Sequence, residues 1–146
     1  MAAKAKARAL VSKGALGQRP KISRGLPVGS LIKCTDNSGA KVLRIIQVAG
    51  YRGRLRRIPT ASVGDLVFAS VRRGTPDMRK KIFRAVIVRQ KKAYRRPEGF
   101  RVQFDSNAAV IITPEGEMRG SEIRGPVARE AAERWPRIAS ASSVII

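Results

Sequence analysis

Histidine is absent from this 146-residue chain, cysteine occurs once, and only seven residues are aromatic. With no histidine and Cys34 alone, the usual nucleophile-and-base pairs are missing, as are the Cys/His spacings of zinc sites. A single cysteine also forbids an intramolecular disulfide, which points to a reducing compartment. No apolar run approaches the ~20 residues of a membrane-spanning helix. The start, MAAKAKARAL, lacks the unbroken apolar stretch of a secretory signal, so secretion is not expected. Its basic, Ala-rich, acid-free character leaves a mitochondrial transit peptide open on composition alone. Acidic residues are scarce too, with 10 Asp plus Glu against 31 Lys plus Arg and a net charge of +21.

That surplus of cations is what the chain has in abundance. Mounted on a small domain it costs self-repulsion, which a polyanion relieves as its condensed counterions are released. Nucleic acid is therefore the leading partner, and an anionic membrane or a merely solvated basic surface are the rivals. At this length one domain is expected, burying roughly two-thirds of the surface its unfolded chain exposes.

The charge is unevenly spread. Residues 1–24 carry seven basic side chains, no acidic one and three Gly or Pro interruptions, the composition of an arm. From Leu31 the pattern changes. LIKCTD and KVLRIIQVA, rich in β-branched and apolar residues, flank Asn37, Ser38 and Gly39, which predicts a hairpin. DLVFASV at 65–71, IFRAVIVR at 82–89, RVQF at 101–104 and NAAVII at 107–112 continue the series. Five or six short strands are too many for a lone hairpin and too few for a sandwich. Closure into a small barrel, which removes bare edges, is the expected architecture, and the fold class is mainly β. Beyond Gly125, Pro126 suits a first helical turn and VAREAAERW contains strong helix formers, with Val127, Ala131 and Trp135 on related faces. Pro136 is expected to end that helix. Between 105 and 137 five arginines face six carboxylates, so the basic load lies before residue 102, in an arm over 1–24 and in the loops of a domain over 25–146.

Two loops concentrate the cations. YRGRLRRIP places Arg52, Arg54, Arg56 and Arg57 between glycine and proline breaks, where guanidinium groups can fan over a phosphate backbone. A denser cluster over 72–96 holds eleven cations, among them Arg72, Arg73, Lys80, Lys81, Lys91, Lys92, Arg95 and Arg96, against Asp77 alone. Because the strand at 82–89 interrupts it, its two halves should emerge at opposite ends of one strand and grip two RNA segments. The bland reading of both loops is a solvated surface. Tyr94, within KKAYRR, either stacks on an unpaired base with Arg95 adding cation–π attraction, or simply covers the barrel. Seven aromatics are too few for a general stacking platform, which favours phosphate and shape recognition. Glu115 and Glu117 bracket a turn glycine and are read as solvated turn acids, and Cys34 as a small apolar strand residue. No P-loop or dinucleotide fingerprint is present, so no enzyme, cofactor, metal or small-molecule substrate is expected.

The most specific residues are AVIVR at 85–89, Gly99, Phe104, Asn107 and Val110-Ile111, whose spacing is similar to the signature of the L-fourteen family of large-subunit ribosomal proteins. The resemblance extends through GLPVGSLIKCTDNSGAK, SVGDLVFASVRRGTPDMRKK and GEMRGSEIRGPVARE to WPRIAS, covering nearly everything after residue 22. GLPVG, YRR and WPRIAS resemble the archaeal and eukaryotic branch, which implies a cytosolic rather than an organellar ribosome, hence a cytoplasmic location. Glu98 departs from the usual Asp, Asn or Ser, and Ala131 from the Cys of many eukaryotic relatives. The resemblance implies a five-stranded β-barrel with a projecting β-ribbon and short C-terminal helices, docked on large-subunit rRNA near the subunit interface. It also implies a bridge to small-subunit rRNA, contacts with large-subunit proteins three and twenty-four, and docking of the anti-association initiation factor six. The protein contacts would fall on the balanced tail, at Met118, Arg119, Pro126, Val127, Trp135 and Arg137. A stand-alone nucleic-acid-binding module would share the charge without the signature, and an RNA-processing enzyme would need the missing ligands.

Overall fold

A computed structural model describes residues 21–146, so the basic arm expected over 1–24 lies outside the described residues as far as residue 20. Five strands close into a barrel: β2 (Leu31–Cys34), β3 (Ala40–Val48), β5 (Leu66–Gly74), β6 (Ile82–Arg89) and β9 (Ala108–Ile112), in that order around the wall. All neighbours are antiparallel except the closing pair, where β9 runs parallel to β2 with Lys33 opposite Ala108. The predicted β2–β3 hairpin is present, with Leu31 opposite Arg44 and Gly39 at φ +96°, a conformation that suits glycine. Asp36 ties this turn to the closure. Its Oδ1 accepts the Ser38 N–H at 3.2 Å, and its Oδ2 accepts the Ile111 N–H of β9 at 2.8 Å.

Two apolar layers explain why β9 (AAVII) and the AVIV stretch of β6 carry no polar alternation: these stretches are buried on both faces. Ile32, Leu43, Ile45, Val67, Ile87 and Ile111 fill the barrel. Val86, Val88, Val110 and Ile112, pointing to the other face of the same wall, pack with Val127, Ala131, Trp135 and Ile138 of the C-terminal segment. That segment contains β10 (Ile123–Val127), α1 (Arg129–Arg134), α2 (Pro136–Ala141) and β11 (Ser142–Ile145), with β11 parallel to β10. Two further ladders flank the barrel, β1 (Leu26–Pro27) with β4 (Thr60–Ala61) and β7 (Tyr94–Arg95) with β8 (Arg101–Val102).

The helix begins later than its sequence predicts. Pro126 and Val127 belong to β10, because Arg89 Nη1 donates to the carbonyls of Arg124 (3.3 Å) and Pro126 (2.9 Å), and the Ile146 N–H donates to the Val127 carbonyl (2.9 Å). Pro136 ends α1 as expected and also opens α2, where its missing N–H costs nothing. Of RVQF, only Arg101 and Val102 are strand, while Phe104 is buried in the outer layer.

Candidate nucleic-acid interface

Strand direction sorts the cationic loops. The chain leaves β3 into residues 50–59 and leaves β6 into residues 90–93 at one end of the barrel. The 74–81 loop joins β5 to β6 at the other end, where the Thr75 N–H donates to the Gly39 carbonyl of the β2–β3 turn (3.0 Å). At about 3.3 Å per residue, the eight residues of β6 set the two ends roughly 25 Å apart. The two halves of the 72–96 cluster thus do emerge at opposite ends of one strand. Arg52, Arg54, Arg56 and Arg57 are exposed at one end beside exposed Lys91 and Lys92, and Arg72, Arg73, Lys80 and Lys81 are exposed at the other. Arg56 and Lys80, with φ of +65° and +63°, are the only non-glycine described residues at positive φ, and each sits in one of these loops.

Tyr94 and Arg96 do not belong to this surface. In β7 and just beyond it, side chains alternate: Arg95 is exposed, while Tyr94 and Arg96 are 1% and 6% exposed and turn inward to Glu130 of α1. Tyr94 Oη–H donates to Glu130 Oε2 (2.8 Å), and Arg96 donates from Nε to Oε1 (2.8 Å) and from Nη2 to Oε2 (3.4 Å). Arg96 Nη2 also donates to the main-chain oxygen of Ile146 (2.6 Å). Of the two readings of Tyr94, the packing one holds, since a ring enclosed this way cannot stack on a base. Burial, the Glu130 hydrogen bond and the nearby carboxylate all push the Tyr94 phenol up. Burial would raise the Glu130 carboxyl, yet the hydrogen bonds from Arg96, its own backbone and Tyr94 outweigh it and hold the pKa below the ordinary value of 4.5. For Arg96, burial lowers the pKa but Glu130 and Tyr94 outweigh that, leaving the guanidinium more firmly charged than usual.

A second buried pair anchors the same helix. Arg134 Nη1 donates to Asp65 Oδ1 and to the Gly64 carbonyl, both at 3.2 Å, and Trp135 Nε1–H donates to the Gly64 carbonyl at 2.9 Å. Asp65 Oδ2 in turn accepts the Ser62 N–H (2.8 Å), which shapes the tight turn entering β5. Trp135 and Val127, expected to meet other proteins, are buried within this chain, because together they close the outer layer. Met118 and Pro126 are half-buried. Arg119 is exposed, with its guanidinium 4.8 Å from the Phe83 ring centroid, and Arg137 is exposed and pairs with Glu117 at 3.0 Å. Sequence gave no sign of Glu130 as the partner of Arg96, which lies 34 residues earlier.

Cys34 Sγ donates to Asp36 Oδ1 at 3.1 Å, and burial followed by the Asp36 carboxylate pushes the thiol up to about 12, which suits an inert strand residue. Among the described residues no group of three or more Cys, Asp or Glu is placed to hold a metal ion, and no helix is long and apolar enough to cross a membrane.

The geometry is that of a rigid barrel with a neutral, well-anchored helical flank and cationic loops at both ends. The family described as Ribosomal protein L14p/L23e matches residues 25–146. The chain belongs to that family. Its relatives place it in the archaeal branch. Large ribosomal subunit protein uL14 of Thermoplasma acidophilum is 58% identical over 134 residues, covering 92% of this chain and 99% of the relative. The protein of the same name from Thermoplasma volcanium is 60% identical over 123 residues, covering 84% and 93%. That from Picrophilus torridus is 58% identical over 124 residues, covering 85% and 94%. For an L14p/L23e protein, the match over 25–146 takes in the whole barrel, both ends of cationic loops and the helical flank.

Proposed function

We propose that this protein is a structural constituent of the large ribosomal subunit, not an enzyme, and that it binds large-subunit rRNA through the cationic loops at the two ends of its barrel. The observation that carries the reading is the pairing of L14p/L23e membership with eleven exposed cations: Arg52, Arg54, Arg56, Arg57, Arg72, Arg73, Lys80, Lys81, Lys91, Lys92 and Arg95. The barrel is the spacer that holds the two groups at a fixed separation, so that two RNA segments are bound in a defined relation. The place of action is the cytoplasmic ribosome, near the subunit interface, where the protein contributes a bridge to small-subunit rRNA. The exposed part of the tail, including Arg119 and Arg137, meets protein neighbours: large-subunit proteins three and twenty-four and the anti-association initiation factor six.

If about eight phosphates are neutralised, the log of affinity for duplex-like RNA falls with the log of salt at a slope near −6 to −7. A flat salt response would count against phosphate clamping. Sedimentation of the cellular protein separates this reading from that of a stand-alone RNA-binding module. A ribosomal protein co-migrates with large subunits after a salt wash, whereas the module stays in a free pool.

A further inference from the structure

The 50–59 loop carries two apolar side chains that intramolecular packing does not explain. Leu55 is 88% exposed and Ile58 is 64% exposed, inside the most arginine-dense loop of the chain. The loop is nonetheless held at its stem. Tyr51 packs against the barrel interior, and Gly53 lies so close over it that a Cβ there would come within 2.3 Å of the ring. The Arg24 guanidinium sits 5.3 Å from the same ring's centroid, and the Val28 N–H donates to the Pro59 carbonyl at 3.0 Å.

At the apex the Arg57 N–H donates to the Arg54 carbonyl (3.1 Å), and Arg56 adopts φ +65°. This is the pattern of a type II turn with Leu55 at its first corner and an arginine where glycine is the easy choice. A non-glycine residue in the left-handed region persists where the surroundings fix it, and such positions cluster at functional sites. Leu55, the most exposed large apolar side chain among the described residues, stands at this corner, with Arg52 and Arg54 before it in the chain and Arg56 and Arg57 after it. No acidic residue occurs between Asp36 and Asp65, so nothing in this stretch of chain neutralises the four guanidinium groups.

We propose that Leu55, flanked by Ile58, is an apolar wedge that packs on the ribose and base surface of RNA while the surrounding arginines take the phosphates on either side. The wedge rests on the RNA-binding reading above. The minor groove of an A-form helix is wide and shallow and presents ribose and base edges within reach of a short aliphatic side chain, whereas the major groove is too narrow for one. A phosphodiester partner also satisfies the charge around Leu55, which an apolar pocket on a protein would leave unpaired. The wedge contact releases no counterions, so its contribution to affinity is independent of salt, unlike that of the arginines.

That difference supplies the test. The full chain and the variants Leu55→Ala and Arg54→Gln/Arg57→Gln are titrated against purified archaeal large-subunit rRNA over a range of salt concentrations, with thermal unfolding and incorporation into large subunits recorded for each. Leu55→Ala is expected to unfold as the parent does and to bind about tenfold more weakly at every salt concentration, with the slope unchanged. The double arginine variant is expected to flatten the slope by about two. If Leu55→Ala binds like the parent at all salt concentrations while the arginine variant loses slope, the wedge is overturned and the RNA-binding reading stands. If Leu55→Ala binds RNA normally but fails to enter large subunits, the apex meets a protein neighbour and the wedge is again overturned. A parent chain that ignores the rRNA at low salt removes both readings.

Discussion

Replacing Arg96 by Met tests whether that arginine holds the fold or holds RNA. Met keeps an aliphatic stem but removes the guanidinium, so Glu130 loses its 2.8 and 3.4 Å hydrogen bonds and keeps the 2.8 Å bond from Tyr94 and the one from its own backbone. A carboxylate only 9% exposed is then left under-compensated. Breaking a buried pair by removing one partner costs ~3–5 kcal/mol, and losing the 2.6 Å bond to the Ile146 main-chain oxygen adds ~1 kcal/mol. Set against a total stability of ~5–15 kcal/mol, that is a large share. At roughly 2 kcal/mol per molar urea, the midpoint falls by roughly 2–3 M. Trp135 is the only tryptophan, lies 3% exposed in the same apolar layer and supplies the fluorescence signal. Acid titration gives a second reading. Glu130 has a folded pKa held below 4.5, so its contribution to stability is fully present above that value and is lost as pH falls through the depressed one. Without Arg96 burial pushes the carboxyl up instead, so the deficit of the variant is greatest near neutral pH and shrinks in acid. The double variant Arg96→Met/Glu130→Met, which leaves no stranded charge, recovers much of the loss. An Arg96→Met chain with an unchanged midpoint and a weakened grip on rRNA would refute this reasoning and return Arg96 to the binding surface.

Three further outcomes are expected. Changing Lys80, Lys81, Lys91 and Lys92 together to Glu weakens rRNA binding at low salt while the unfolding temperature stays nearly constant, because all four are exposed; an equal loss of folding would place them in the structure instead. Trp135→Ala removes a buried ring and its hydrogen bond to Gly64 and lowers stability by ~3 kcal/mol, read as an earlier urea midpoint. Cys34, with its thiol pushed up to about 12, is modified by a maleimide at pH 8 far more slowly in the folded chain than in urea; equal rates would contradict the burial.

The five barrel strands were legible because each is an apolar-rich run bounded by residues that turn. Asn37-Ser38-Gly39 marked the hairpin, and the unbroken AAVII of β9 marked a strand without a wet face. Barrel closure followed from strand count, but the parallel pairing of β9 with β2, to which Asp36 adds a bond to Ile111 from 75 residues away, is recorded in no local pattern. The helix start was misplaced for a related reason. Pro126 is equally at home in a first helical turn and in an extended segment, and Arg89 of β6 decides between them from 37 residues away. The cationic loops were legible from composition and from their place between strands. Tyr94 and Arg96 could not be separated from Arg95 by composition, because all three share one basic run and only the alternation of β7 and the position of Glu130 sort them. Leu55 and Ile58 carry no signal in the sequence, since lone apolar residues in loops are common and their meaning lies in their exposure.

β9 is the stave on which the barrel depends, since it touches β2 on one edge and β6 on the other. A ribosome making this chain releases both cationic loops before residue 112 is available, so any product halted earlier displays its full grip on RNA on a curved sheet with two open sides. Such fragments would be sticky twice over, to nucleic acid and to one another, and a cell making this protein has reason to clear them quickly.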